Sequence, residues 1–171
     1  MIWIFGDSFA ANTAPESWSS MLGQNVKNLA RNGSSEYRIW RAYKHNKKFI
    51  QDTDTVIFCH TSFSRVYLKN KEPLLSRLLP SHPFCDLIFS DIIDKQETRF
   101  IELLKEIWDE EYFKDTYDLI VTDLKSVNNS IHLNFFDDPI YNSIWKNNPG
   151  TINHMDAVGN QIVLKTVLEK L

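Results

Sequence analysis

The stretch Ile-Phe-Gly-Asp-Ser, residues 4–8, ends an apolar run on a serine flanked by small and acidic residues. A serine in that setting has the chemistry for acyl transfer. It needs a base within hydrogen-bond reach and donors facing the oxyanion that forms on the attacked carbonyl. Its plain alternative is a turn or cap residue. Five histidines are available as bases. His45 falls on a basic helical face, His82 in a proline-rich stretch, and His132 between apolar residues of an expected strand, where a structural role is simplest. His60 and His154 lie at expected strand or loop ends, His154 just ahead of the last helix. Gly33, in Ala30-Arg31-Asn32-Gly33-Ser34, either presents its backbone N–H to a ligand or makes a simple turn. The segment 59–65, Cys-His-Thr-Ser-Phe-Ser-Arg, offers Thr61 or Ser62 as side-chain donors and fits a capped helix start equally well. No histidine pair has the i, i+4 spacing of a helical metal site, so neither a metal nor another cofactor is expected.

The elements that must position these residues follow from periodicity. Short, nearly continuous apolar runs at 2–5, 26–29, 55–58, 119–122 and 131–135 suit strands buried on both faces. Helical patterns lie at 15–22, 34–49, 96–113 and 157–171, with Asp156 as a candidate N-cap of the last. Strands alternating with helices predict an α/β fold. The expected form is three layers around a doubly wound, flavodoxin-like, five-stranded parallel sheet, with its sites at the carboxyl ends of the strands. A single domain over 1–171 is expected, with an irregular insertion at about 69–95 that holds three prolines and reads as a lid, a binding loop or a surface excursion.

The charge balance of −3 gives no pull toward nucleic acid or an anionic membrane. No apolar run approaches the roughly 20 residues of a membrane span, and the N-terminus lacks the pattern of a signal peptide. A cytoplasmic location is therefore expected, with Cys59 and Cys85 as reduced thiols. Among the five tryptophans, Trp145 lies in a polar segment close before His154 and is the one suspected of lining a pocket; a hydrophobic anchor under a loop is its other reading.

Taken in order, these stretches resemble the SGNH (GDSL) hydrolase superfamily. Gly6-Asp7-Ser8 matches its first block, Gly33 its second, and "NHMDAVGNQIV" its last, which carries the histidine before the final helix. The resemblance implies the SGNH fold, Ser8 as nucleophile and His154 as base. It also implies an oxyanion hole drawn from the backbone N–H groups of Ser8 and Gly33. Two positions depart from the pattern. Thr61 stands where the family has an asparagine donor, and Thr151 where it has the triad acid, leaving Asn153, Asp137, Asp138 or a backbone carbonyl to orient His154. The "HTSFSR" stretch is similar to a variant of divergent SGNH-like proteins from phages and surface-polysaccharide loci. On that view Arg65 binds an acidic substrate group or holds its loop by ion pairing.

The expected function is that of a serine-dependent ester hydrolase working by a Ser–His mechanism on a small-molecule or glycan ester, with deacetylation of a sugar in view. Ser8 and His154 are its catalytic residues, Ser8, Gly33 and Thr61 its oxyanion hole, and Asp7, Arg65 and Trp145 its substrate contacts. Two other readings compete. One is a catalytically degenerate SGNH-like module that binds carbohydrate or serves structure. The other is a flavodoxin-like module that holds a phosphate on the hydroxyl-rich loop after the first strand.

Overall fold

Four of the five expected apolar runs become the strands of one parallel sheet. The computed structural model describes residues 1–11, 14–67, 87–88, 106, 108–151 and 154–171. Along the chain come β1 (Ile2–Gly6), β2 (Val26–Asn28), α1 (Glu36–Asn46) with a 3-10 turn at Lys47–Phe49, and β3 (Thr55–His60). Then follow β4 (Arg65–Val66), β5 (Leu87–Ile88), α2 (Glu110–Lys125), β6 (Ser130–Asn134), α3 (Pro139–Asn147) and α4 (Ala157–Leu168). The sheet order is β2-β1-β3-β6, all parallel, and β4 pairs antiparallel with β5 as a separate ribbon.

Strand alternation divides the core into two layers. Ile4, Ile57, Cys59, Ile131 and Leu133 turn to one face and pack with Trp18, Tyr141 of α3 and Val163 and Val167 of α4. Trp3, Phe5, Val56 and Phe58 turn to the other and meet Ile39 and Tyr43 of α1 and Leu124 of α2. Helices thus cover both faces, as a parallel sheet requires.

Two expected elements differ. The run at 119–122 lies inside α2, so the sheet has four strands among the described residues rather than five. The run is helical because its inward set is Tyr117, Val121 and Leu124, spaced by four and three residues, whereas Leu119 stands 73% exposed. Asp109 starts that helix by accepting the Tyr112 backbone N–H at 3.0 Å. The helix expected at 15–22 is a series of turns closed by Ser17 N–H to Ala14 O and Ser20 N–H to Ser17 O, both at 3.0 Å. The expected helix at 96–113 falls mostly outside the described residues, as does the expected insertion at 69–95 apart from β5. The last helix and its cap follow the expectation: Asp156 Oδ1 accepts the Gly159 N–H at 2.8 Å. No helix among the described residues is long and apolar enough to cross a membrane.

At the end of β1, Gly6 is paired in register with Cys59 of β3. A Cβ at position 6 would lie 2.6 Å from Cys59 Cβ and 3.0 Å from Cys59 O. Only glycine lets β1 deliver Asp7 and Ser8 at this point. Gly6→Ala is expected to destabilise the protein by about 1–3 kcal/mol through overpacking, measured by urea unfolding.

Candidate functional site

The carboxyl end of β1 turns sharply because of Asp7. Its Oδ1 accepts the Phe9 N–H at 3.0 Å, an Asx-type turn, and its carbonyl accepts the N–H groups of Ala10 and Ala11. Ser8 stands at the bend, partly buried, while Asp7 is fully buried beneath it. Three groups from the end of β3 and from β4 meet that carboxylate. Thr61 Oγ1–H donates to Oδ2 at 3.2 Å, the Arg65 guanidinium lies 3.9 Å from Oδ2, and Cys59 Sγ is 4.0 Å from Oδ1. Burial pushes the Asp7 carboxyl up to about 6, against the lowering effects of Arg65, the Phe9 N–H and Thr61, so desolvation outweighs them together. The Arg65 Nε–H is buried with no hydrogen-bond partner among the described residues.

The loop carrying Gly33 is tied to the same strand end. Arg31 N–H donates to Gly6 O at 3.0 Å, and Ser34 closes the turn onto Arg31 O through its N–H and its hydroxyl. Gly33 has φ +66°, a left-handed conformation that favours glycine at the turn.

His154 packs against the loop carrying Ser8. Its ring sits edge-on to Phe9, the residue after Ser8, with centroids 5.7 Å apart. Trp145 of α3 packs edge-on to the same phenyl at 5.2 Å and Phe135 stacks on it at 4.7 Å, so Phe9 is an aromatic hinge between Ser8 and His154. Burial, and then the positive charge of Arg65, hold the His154 imidazolium below its ordinary titration range. His154 is therefore neutral near pH 7 and able to take a proton. Its backbone is pinned by Gly150 N–H to His154 O at 2.7 Å and His154 N–H to Thr151 O at 3.2 Å.

Of the acids weighed for orienting His154, Asp138 caps α3 and Asp137 accepts from Tyr117 Oη and Asn134 Nδ2. Thr151 is exposed, and Asn153 lies outside the described residues.

Residues not singled out from the sequence hold this assembly. Trp18, fully buried, donates Nε1–H to Phe9 O at 2.7 Å, and its backbone N–H goes to Asn160 Oδ1 at 3.0 Å. Asn160 in turn donates to the carbonyls of Met155 and Asp156, so one amide joins the Ser8 loop to the His154 loop. Glu36, buried in the first turn of α1, accepts the Thr61 N–H on Oε2 and meets His60 Nδ1 at 2.8 Å on Oε1. His60 Nε2 meets His132 Nδ1 at 2.8 Å, and His132 Nε2 meets Ser130 Oγ at 2.9 Å. The direction of this chain follows from its far end. Ser130 gives its one hydroxyl proton to Val127 O at 2.7 Å, so His132 Nε2–H must donate to Ser130. Burial, and then the His60 charge, push His132 down to about 4, so it is neutral and its Nδ1 accepts from His60 Nε2–H.

No family model and no curated protein matches the chain. Among solved structures, a member of the lipolytic protein G-D-S-L family from Veillonella parvula aligns over 98% of this chain and 96% of its own, with 13% identity and a TM-score of 0.45.

Two measurements check the electrostatics. Asp7 in the folded protein titrates near 6, above the ordinary 3.8. Between about pH 4 and pH 6 the native state keeps a proton that the unfolded chain has released, so stability falls as pH rises through that window. By pH 7 the loss is about 3 kcal/mol. Urea unfolding of the wild type is expected to show this fall relative to Asp7→Asn, which has no carboxyl to titrate. Nitrogen NMR of the imidazoles is expected to show His132 as the Nε2–H tautomer at pH 6, and Ser130→Ala to release that preference.

Proposed function

We propose that the chain is a serine-dependent ester hydrolase of SGNH type, acting on a sugar or glycan ester. The observation that carries this reading is the placement of a neutral histidine, His154, against Phe9, the residue that follows Ser8 at the carboxyl end of β1.

In this reading Ser8 Oγ attacks the ester carbonyl carbon, and its proton passes to a ring nitrogen of His154. The backbone N–H groups of Ser8 and Gly33 stabilise the oxyanion. The tetrahedral intermediate collapses, the C–O bond to the alcohol breaks, and the imidazolium returns its proton to the departing alkoxide. Water, deprotonated by His154, then releases the acid and restores Ser8.

Thr61, in the position of the expected third oxyanion donor, has its hydroxyl proton on Asp7 and its N–H on Glu36. The Nε–H of Arg65, buried and without a partner among the described residues, is the donor left for that task, since an unpaired buried donor is costly unless a ligand completes it. Asp7 then acts as the anchor of Arg65 and Thr61.

The engagement of both Thr61 donors also favours a second reading, an SGNH-like module that binds carbohydrate without hydrolysing it. One assay separates the two. The wild type is expected to hydrolyse a short-chain p-nitrophenyl ester and to be labelled by a fluorophosphonate at Ser8, with Ser8→Ala inert in both. The rate should rise with pH through a limb below the ordinary histidine value, because His154 must be neutral. Folded wild-type protein that neither labels nor hydrolyses would leave the binding module as the reading.

A further inference from the structure

Positive charge is concentrated in one part of this net-acidic chain. Seven of its nineteen Lys and Arg residues lie between Lys27 and Lys48, where the lone carboxylate is Glu36, buried against His60. The structure gathers much of that charge along α1, beside a groove of about 630 Å³. The groove is lined by Gly6, two residues before Ser8 at the end of β1, by Ser34 beside Gly33, and by residues of α1 as far as Asn46 at the end of the helix. An eleven-residue helix is about 16 Å long, so the groove is extended rather than a pit for one small ion.

Its walls combine cations with aromatic faces. Arg38 lies over the Tyr67 ring at 4.8 Å, and Arg41 lies 5.6 Å from that ring and 6.0 Å from Tyr37. Arg41 also donates to Tyr67 Oη, which fixes the guanidinium beside the residue that follows β4. Tyr37 stacks on Trp40 at 5.6 Å, meets Tyr67 edge-on at 5.0 Å and remains 39% exposed. Arg31 is exposed and also lines the groove. Planar guanidinium forks match carboxylate and phosphate oxygens, and aromatic rings offer flat apolar faces to the C–H side of a sugar ring. The acidic balance of the rest of the chain disfavours a polyanion as dense as a nucleic acid, whose phosphates would meet that charge beyond the groove.

We propose that this groove binds an anionic oligosaccharide, a sugar chain bearing carboxylate or phosphate groups, with its esterified unit at Ser8. The placement of the ester rests on the hydrolase reading, and the binding does not. Arg31, Arg38 and Arg41 select the charge, and Tyr37 and Tyr67 set the path of the chain.

The test is calorimetric titration of Ser8→Ala protein, which cannot consume the ligand, with four probes: a galacturonate hexamer, a maltohexaose phosphorylated at O6, maltohexaose and hexathymidylate. One of the two anionic sugars is expected to bind, which also tells carboxylate from phosphate, and maltohexaose to bind at least about tenfold more weakly. Arg31→Gln with Arg41→Gln should weaken the anionic sugar about tenfold, whereas Lys114→Gln with Lys165→Gln, an equal loss of charge elsewhere on the surface, should not. Tyr37→Ala, which removes an exposed ring, should weaken it as well and serves if the arginine pair fails to fold. The proposal is overturned if neither anionic sugar binds, if hexathymidylate binds more tightly than both, or if the lysine pair matters as much as the arginine pair. Binding without labelling of wild-type Ser8 would overturn the hydrolase reading alone.

Discussion

A carboxylate buried at the end of the first strand organises this molecule. Asp7 has no exposed surface, and a charge taken fully out of water is tolerated only where partners replace the solvent. The partners come from its own turn through the Phe9 N–H, from the end of β3 through Thr61, and from β4 through Arg65. Each draws one segment toward a common point, and Ser8 lies at that point because it follows Asp7 in the chain. The partners do not fully offset burial, since the carboxyl remains well above its ordinary range. The Arg65 guanidinium is close enough to attract but too far to form a short hydrogen bond.

A second buried carboxylate stands behind the first. Thr61 lies between them, its hydroxyl on Asp7 and its N–H on Glu36, and the negative charge of Glu36 contributes to raising Asp7. Glu36 is in turn paired with His60 and, through it, with His132 and Ser130. Other groups face the same chain electrostatically: Cys59 from β3, whose thiol is pushed well up first by burial and then by both carboxylates, and Tyr117 from α2, pushed up by burial and by Glu36. The charge of Glu36 is felt at Asp7 across a single threonine.

The parts of this arrangement that were legible in the sequence are the local ones. Strands β1, β3 and β6, helices α1 and α4 and the Asp156 cap follow from periodicity and short-range hydrogen bonding, which a sequence displays directly. The segment 119–122 did not, because four apolar or β-branched residues in a row satisfy a buried strand and a helix alike; only the outward Leu119 and inward Tyr117, Val121 and Leu124 distinguish them. Glu36 was illegible for a different reason. An acidic residue in the first turn of a helix is ordinary, and its partner His60 lies 24 positions away, brought near by the packing of α1 on β3. Asn160 and Trp18 are hidden in the same way, their contact spanning 142 positions.

Helix α1 connects the two halves of the site. Its inward residues Glu36, Ile39 and Tyr43 fix it to the sheet, Glu36 doing so by accepting the backbone N–H of Thr61, whose hydroxyl donates to Asp7. Its outward residues Tyr37, Arg38 and Arg41 wall the groove. A helix is stiff over eleven residues, so a register set by the Glu36 carboxylate is carried to Arg38 and Arg41, two and five residues further on. The groove and the serine loop are therefore positioned by one internal reference, the pair of buried acids on either side of Thr61.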